Sequence, residues 1–276
     1  MLYSKNVMTI MKKIVFFLCF VLCLASCSQY QKALNSEDVG VKYKMADSLY
    51  AAGKYSKAIR LFEQIAPGYR GKPQAEKMYY MYAMSTYKQE QYMMSSHLFE
   101  RFVAQYSFSQ KAEEAWFLMG KSYAELSPRY SLDQVDTYKA IDKLQQFINK
   151  YPESEYVAEA NTIVAELNRK IEKKHFENAK QYNTIAGYTR DYKAAIVALD
   201  NFLIDFPGTI YAEDALYYKF DSMYNIAINS VPDKKKERLN QAKSAYDALL
   251  KFKADTKYKD KAVKMLAEIE SELHKI

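Results

Sequence analysis

Small and large apolar residues recur along the chain at the spacing of one helix face. A first example is formed by Tyr55, Ala58 and Phe62, which stand three and four positions apart. Residues at these intervals lie on the same side of an α-helix. The same order of residue types recurs at Tyr92, Ser95 and Phe99, at Thr137, Ala140 and Leu144, at Tyr192, Ala195 and Leu199, and in weaker form at Leu239, Ala242 and Tyr246. The pattern predicts five helices, each with a small residue that lets a neighbouring helix come close.

An aromatic residue closes four of these five segments, fourteen positions after the first residue, at Tyr69, Tyr106, Tyr151 and Phe206. Proline follows the last two of them directly, at Pro152 and Pro207. Proline has no N–H and cannot continue the hydrogen-bond ladder, so it ends a helix. The shared register indicates a repeated structural unit.

The stretch from Trp116 to Tyr123 supplies the other half of this unit. Trp116, Gly120 and Tyr123 share one helical face, and Gly120 leaves room for a second helix between the two bulky rings. The form W-x2-[L/M]-G-x2-Y is the first-helix signature of a tetratricopeptide repeat. Ala46 and Ala83 take the place of Gly120 in the two preceding repeats, each twelve positions before the small residue of its second helix.

The chain is therefore predicted to be all-α, a tetratricopeptide-repeat α-solenoid of about five helix pairs plus a terminal helix. Only 7 Gly and 6 Pro in 276 residues agree with this prediction. An insertion is expected near 127–134, and the long segment at 154–188 is expected to be broken. The predicted pairs are 40–52 with 54–66, 73–89 with 91–106, 109–126 with 135–151, 154–188 with 191–206, and 209–229 with 236–252, followed by a helix at 258–275.

The first 26 residues are predicted to be a lipoprotein signal peptide. Lys12 and Lys13 precede an apolar run at 14–24, which is too short to span a bilayer. The sequence Leu-Ala-Ser-Cys that ends at Cys27 looks like a bacterial lipobox, so Cys27 is the predicted lipidation site. An ordinary cleaved signal with an unmodified Cys27 is the alternative. The remaining predicted segments are a tether at 27–38, repeats one to three at 39–152, and repeats four and five with a capping helix at 153–276.

Charge and composition give no support for nucleic-acid binding or for catalysis. The formal charge of +7 falls by three when Lys5, Lys12 and Lys13 leave with the signal, which is too mild for a nucleic-acid partner. No Gly-rich phosphate loop is present. The three histidines are His97, His175 and His274, and none has a His or Cys at the spacing of a metal site. No enzymatic activity, cofactor or metal is predicted.

A binding surface is what remains. In tetratricopeptide repeats, a concave groove is lined by positions around the small residue of each first helix. The corresponding residues here are Tyr43, Asp47 and Tyr50, then Lys77, Tyr80, Met84 and Tyr87, then Glu114, Phe117, Lys121 and Ala124. Aromatic side chains offer large contact area at low entropic cost, and Lys77 or Lys121 could meet a carboxylate. Packing of the same aromatic residues between repeats is the competing interpretation.

In its lipobox, tether, repeat number and length, the chain resembles the BamD family. Members of that family are tetratricopeptide-repeat lipoproteins of the outer-membrane β-barrel assembly machine. The segments 50–63 and 147–156 look like that family's first and third repeats. The resemblance implies a scaffold anchored in the outer membrane and facing the periplasm. Its amino-terminal repeats would receive carboxy-terminal targeting signals of unfolded barrel proteins. Its carboxy-terminal repeats would hold a POTRA domain of BamA, within a complex that has further subunits.

Two other repeat lipoproteins are alternatives. One is a glycan-binding protein similar to the SusD group, whose chains are usually about twice as long and carry large inserted loops. The other is a cell-envelope adaptor, which would usually have an amino-terminal coiled coil, whereas 28–40 shows no heptads.

Overall fold

The computed structural model describes residues 29–276, and within this range the chain is helical and has no β-strand. The predicted signal peptide and Cys27 lie outside the described residues, so lipidation of Cys27 stays a prediction. The helices are α1 (Val39–Ala51), α2 (Tyr55–Tyr69), α3 (Ala75–Lys88), α4 (Tyr92–Gln105), α5 (Ala112–Leu126), α6 (Val135–Lys150), α7 (Val157–Thr189), α8 (Tyr192–Asp205), α9 (Ala212–Ile228), α10 (Pro232–Phe252) and α11 (Lys259–His274).

Short loops join successive helices, and the prediction of an all-α tetratricopeptide-repeat fold is confirmed. The helix α6 ends at Lys150, shortly before Pro152, and α8 ends at Asp205, shortly before Pro207. The backbone N–H groups of Tyr151 and Phe206 still donate to the carbonyls four residues earlier, at 2.9 and 3.0 Å. The closing aromatic residue is therefore the last position that the helical hydrogen bonds reach before proline stops them.

Small residues form the closest contacts between helices, as the pattern predicted. Those of the second helices are fully buried at Ala58, Ser95, Ala140, Ala195 and Ala242. Gly120 of α5 packs so tightly against Leu144 of α6 that a Cβ there would lie 2.7 Å from Leu144 Cδ2 and 3.2 Å from its backbone nitrogen. Tyr123 is buried beside this contact, and the Lys150 ammonium lies 4.9 Å from the Trp116 ring.

By compactness the described chain divides into two units. Unit 1 comprises residues 29–127 and 135–164, and unit 2 comprises residues 128–134 and 165–276. The division thus falls between Val164 and Ala165, whereas the predicted boundary between the third and fourth repeats lies at 152/153. The boundary at 152/153 divides the chain by repeat number, and it stays a prediction.

The helix α7 is a single helix of 33 residues from Val157 to Thr189. The expectation that this segment is broken was therefore wrong. The reason is local, because the segment contains no proline, and its one glycine, Gly187, lies in the last turn. The helix ends after Thr189, where Arg190 adopts a positive φ of 65°.

Two helix ends and one stretch of the predicted tether differ from the prediction. The helix α2 runs through Pro67 and Gly68 to Tyr69, and the Tyr79 hydroxyl donates to the Ala66 carbonyl in this last turn at 2.7 Å. Residues 29–35 of the predicted tether are helical, with Ala33 buried. The helix α10 starts at Pro232 instead of near 236, because proline is well suited to the first helical position.

Candidate binding groove

A groove of about 880 Å³ in unit 1 brings together six of the eleven residues that the repeat positions predicted. We call it the inner groove. The predicted residues that line it are Asp47, Tyr50, Lys77, Tyr80, Met84 and Glu114. The further lining residues are Ala51, Pro73, Glu76, Met81, Lys88, Phe102 and Lys111. Most of them belong to the first helices α1, α3 and α5, as the repeat pattern predicts.

One face of α3 forms the centre of the inner groove. Lys77, Tyr80, Met81, Met84 and Lys88 follow each other at intervals of three, one, three and four residues, which places them along one side of the helix. Tyrosine and methionine therefore form the apolar middle, and a lysine stands at either end.

Tyr80 is the largest aromatic residue at the base of the groove. Its ring lies 5.6 Å from the Phe102 ring, and the Lys111 ammonium lies 5.3 Å from its centre. Burial, together with a hydrogen bond to Glu114, raises the pKa of Tyr80 well above its ordinary value. The hydroxyl thus stays neutral at any physiological pH. Tyr50 is half-buried and packs edge-on against Tyr55 at 5.7 Å, so one of its faces remains accessible.

Two of the three lysines in the inner groove already have a carboxylate partner. Lys77 pairs with Asp47 at 2.8 Å, and Lys111 pairs with Glu114 at 2.8 Å. The hydrogen bond from Lys77 to Asp47 raises the pKa of Lys77. Lys88 is exposed and forms no ion pair with any residue in 29–276. It is therefore the cation that this groove leaves available to an anionic ligand.

The remaining predicted groove residues lie outside the inner groove. Tyr43 stacks on Tyr69, with ring centres 5.2 Å apart. Tyr87 packs edge-on against Tyr92 at 5.7 Å. Ala124 is half-buried near the end of α5. For the first two, the packing interpretation that the sequence left open describes their contacts best.

Phe117 and Lys121 also differ from their expected placement. Phe117 is only 2% exposed, because the Tyr156 ring stacks on it at 4.9 Å with an interplanar angle of 8°. Lys121 is paired with Glu159 at 2.5 Å and lies 5.6 Å from the Phe117 ring. Tyr156 and Glu159, which precede and begin α7, therefore cover both positions of α5.

Sequence reasoning missed Lys88, and a signal for it was present. Met84 was recognised as a groove position, and Lys88 is one helical turn further along the same face. Phe102, by contrast, belongs to the second helix α4 and reaches the groove only through packing, which the repeat positions do not describe.

Two further properties concern residues 29–276, the part of the chain that the structure describes. In that part of the chain, no group of three or more His, Cys, Asp or Glu residues is placed to hold a metal ion. Nor does any helix there combine the length and the apolar character that crossing a membrane requires.

Comparison with known proteins identifies the family. The sequence model of YfiO, described as an outer membrane lipoprotein, matches residues 36–188, which is more than half of the chain. The chain belongs to the YfiO family of outer membrane lipoproteins. The predicted membership of the BamD family is thereby confirmed, since YfiO and BamD denote the same family. The YfiO match includes all of the helices that line the inner groove.

Two solved structures are also similar to this YfiO family member. One is the complex of the TPR2AB domain of yeast Sti1 with pHSP90, at 11% identity over 84% of this chain and 98% of that one, with a TM-score of 0.39. The other comes from the computational design of self-assembling cyclic homooligomers, at 14% identity over 96% of each chain, with a TM-score of 0.20. A search of curated protein sequences finds no significant match.

Proposed function

We propose that the protein is a non-enzymatic, lipid-anchored scaffold of the outer-membrane β-barrel assembly complex. Membership of the YfiO family supports the placement in the outer membrane, and the BamD resemblance supports the assembly role. The observation that carries the proposal furthest is the inner groove, which combines an apolar base of Tyr80, Met81 and Met84 with the unpaired Lys88.

The proposed ligand of the inner groove is the carboxy-terminal targeting peptide of an unfolded barrel protein. Such a peptide ends in an aromatic residue and a free carboxylate. The aromatic ring would pack against the accessible face of Tyr50 and against Met84, where flexible thioether side chains adapt to different rings. The terminal carboxylate would pair with Lys88, because Lys77 and Lys111 already have partners.

The proposed partner of the carboxy-terminal repeats is a POTRA domain of BamA, together with other subunits of the complex. This part of the proposal rests on the family resemblance. The predicted lipid at Cys27 would keep the scaffold on the periplasmic side of the outer membrane, close to the barrel component.

A fluorescence titration tests the role of Lys88. The full chain, purified from membranes and held in lipid nanodiscs, would be titrated with a labelled carboxy-terminal peptide of a barrel protein. We expect Lys88→Glu to weaken binding about three- to tenfold, since it replaces attraction between two exposed charges with repulsion. Lys44→Glu, at an exposed position of α1 outside the groove, is the matched control and should leave the affinity unchanged.

A carboxy-terminally amidated peptide completes the experiment. Amidation should weaken binding to the wild-type chain but strengthen binding to Lys88→Glu or leave it unchanged, because it removes the carboxylate that the introduced glutamate repels. Tyr50→Ala should weaken binding as well, whereas Tyr87→Ala should not, because Tyr87 packs outside the groove. Equal affinities for the acid and the amide peptide would reject carboxylate recognition at Lys88.

A further inference from the structure

A second groove in unit 1 is formed by the other set of helices. It has a volume of about 1080 Å³ and lies over α3, between the end of α2 and the first turns of α4. We call it the outer groove. Its apolar and aromatic lining residues are Ala66, Pro67, Tyr79, Tyr82, Tyr92, Met93, Met94, Leu98 and Leu126. No residue lines both this groove and the inner groove.

Methionine side chains stand open to solvent at the outer groove. Met93 is 65% exposed and Met94 is 40% exposed, although the Met94 sulfur contacts the Tyr82 hydroxyl at 3.8 Å. Methionine is flexible and polarizable, and it recurs on surfaces that bind apolar partners of varying shape. Two exposed methionines beside an apolar groove therefore indicate a surface that is covered by another molecule.

The rim of the outer groove carries charges of both signs without partners. Glu63, Arg70, Glu90 and Arg101 line it, and none of the four forms an ion pair with another residue in 29–276. Burial and the nearby Glu63 raise the pKa of Tyr82 to about 12, while Arg101 acts to lower it. Glu63 belongs to α2 and Arg101 to α4, so opposite charges flank the same hydroxyl from opposite walls.

This charge arrangement selects among possible occupants. A lipid surface or a nucleic acid presents charge of a single sign and would meet like charge on both sides of the groove, because Glu63 and Arg70 lie on the α2 side and Glu90 and Arg101 on the α4 side. A peptide helix, by contrast, can carry acidic residues along one flank and basic residues along the other, with an apolar stripe between them. Such a helix would place an acidic residue against Arg101 and a basic residue against Glu63, the two charges nearest the Tyr82 hydroxyl.

The size of the groove also suits a helix. A helix about 10 Å in diameter with a rise of 1.5 Å per residue occupies roughly 120 Å³ per residue. A volume of about 1080 Å³ therefore takes roughly nine residues, or two to three turns. A helix laid between α2 and α4 would pack its side chains into the grooves of both, as helices in repeat proteins do.

We propose that the outer groove binds an amphipathic α-helix of a partner protein, two to three turns long, with an acidic residue at Arg101 and a basic residue at Glu63. This interaction is separate from the peptide site in the inner groove. The two surfaces would let unit 1 hold a partner while the inner groove exchanges its ligand.

Photo-crosslinking in cells tests this proposal with the full chain. A photoreactive phenylalanine analogue would be introduced at Met93 or Met94, and the crosslinked segment would be mapped by mass spectrometry. Val197, which is 58% exposed in unit 2, is the background position. We expect a crosslink to a segment with apolar residues at helical spacing and acidic and basic flanks.

Charge variants then test the orientation of the bound helix. Arg101→Glu and Glu63→Arg should each reduce the crosslink at least fivefold. Arg60→Glu makes the same charge change on exposed α2 surface outside the groove and should not reduce it. Lys88→Glu should not reduce it either, which separates this proposal from the inner groove. Trp116 fluorescence, which reports on the fold of unit 1, confirms that each variant is folded.

Three results would overturn the proposal. The first is a crosslink no stronger than that from Val197. The second is a crosslink to lipid, to a second copy of this chain, or to a segment without the amphipathic pattern. The third is an equal loss in Arg101→Glu and Arg60→Glu.

Discussion

Unit 1 and unit 2 use the same kind of helix pair but differ in the balance of their apolar and polar interactions. Five phenylalanines are among the largest fully buried side chains of the described residues. Unit 1 contains four of them, Phe62, Phe99, Phe102 and Phe147, and unit 2 contains one, Phe220. Ion pairs join helices in both units, for example Lys77 with Asp47 in unit 1, but Glu213 and Glu272, whose pKa values are lowered to about 2, both lie in unit 2. Glu213 of α9 accepts hydrogen bonds from Lys253 Nζ at 2.9 Å and from Thr256 Oγ1 at 2.7 Å.

Further polar contacts of unit 2 follow the same plan. The Asn183 side-chain amide donates to Asp221 Oδ2 at 2.7 Å and to Ser222 Oγ at 2.9 Å, which ties α7 to α9. Lys235 of α10 pairs with Glu272 of α11. Apolar packing responds to changes in side-chain volume, whereas bonds to carboxylates respond to pH. The comparison therefore predicts that volume changes affect unit 1 most and that acid affects unit 2 most.

The largest expected effect comes from adding one methyl group at Gly120. Its Cβ would lie 2.7 Å from Leu144 Cδ2 and 3.2 Å from the Leu144 backbone nitrogen, so α5 and α6 would have to separate. We expect Gly120→Ala to lower the free energy of unfolding of unit 1 by about 1–3 kcal/mol, as overpacking does elsewhere. Denaturation followed by fluorescence of Trp116, the single tryptophan, measures it.

Gly187→Ala is the matched control for this substitution. A Cβ at Gly187 meets no atom within 4 Å, so the change should stabilise α7 slightly through helix propensity. A Gly120→Ala variant as stable as the wild type would show that the close approach of α5 and α6 does not limit unit 1.

The second prediction concerns acid and unit 2. Hydrogen bonds from Lys253 and Thr256 lower the pKa of Glu213 from its ordinary 4.5 to about 2. A carboxyl group with a lowered pKa adds stability above its ordinary pKa, and that stability is lost as the pH falls from about 4.5 towards 2. Hydrogen exchange in α9–α11, corrected for its intrinsic pH dependence, should therefore lose protection in this range before unit 1 does.

Glu213→Gln sharpens this test, because glutamine does not titrate. The variant should have less protection at neutral pH and a flatter pH profile below 4.5. Glu270→Gln, which disrupts an exposed pair with Lys243, should leave the profile unchanged. Loss of protection in unit 1 at the same pH as in unit 2 would contradict the comparison.

The smallest expected effect concerns two of three equivalent turns. Gly53, Glu90 and Arg190 precede three second helices with positive φ values of 68°, 56° and 65°, and only glycine adopts these without strain. We expect Glu90→Gly to stabilise unit 1 and Arg190→Gly to stabilise unit 2, each by about 1 kcal/mol or less. Trp116 fluorescence should detect the first change, and hydrogen exchange in α7–α9 the second. No gain in either would show that the turns are unstrained.

The helix pairs could be predicted from the sequence because their pattern is local. The small residues at 58, 95, 140 and 195 and the prolines at 152 and 207 mark faces and ends within one helix. The continuity of α7 was not predicted, because its irregular apolar spacing indicates a break. The absence of proline, and of glycine before Gly187, is the feature that favours one continuous helix. The helix α2 ends three residues later than predicted, although Pro67 removes the hydrogen bond that an N–H there would donate to the Glu63 carbonyl.

The binding groove could be predicted only in part. Tyr50, Tyr80 and Met84 follow from repeat positions, because the first helix sets their direction. The burial of Phe117 depends on Tyr156, and the pairing of Lys121 depends on Glu159. Both partners are more than thirty positions away in sequence, so no local pattern contains them. The sequence therefore indicates which side chains face the groove, and tertiary packing decides which remain available.

The measurement that tests the central claim most directly is affinity purification of the full chain from membranes, followed by identification of the proteins that remain bound. The scaffold account predicts recovery of a large β-barrel protein with POTRA domains, in constant proportion to this chain, after both wild-type and Lys88→Glu purification. Recovery of a TonB-type transporter in its place would contradict the account and would support a glycan-binding function.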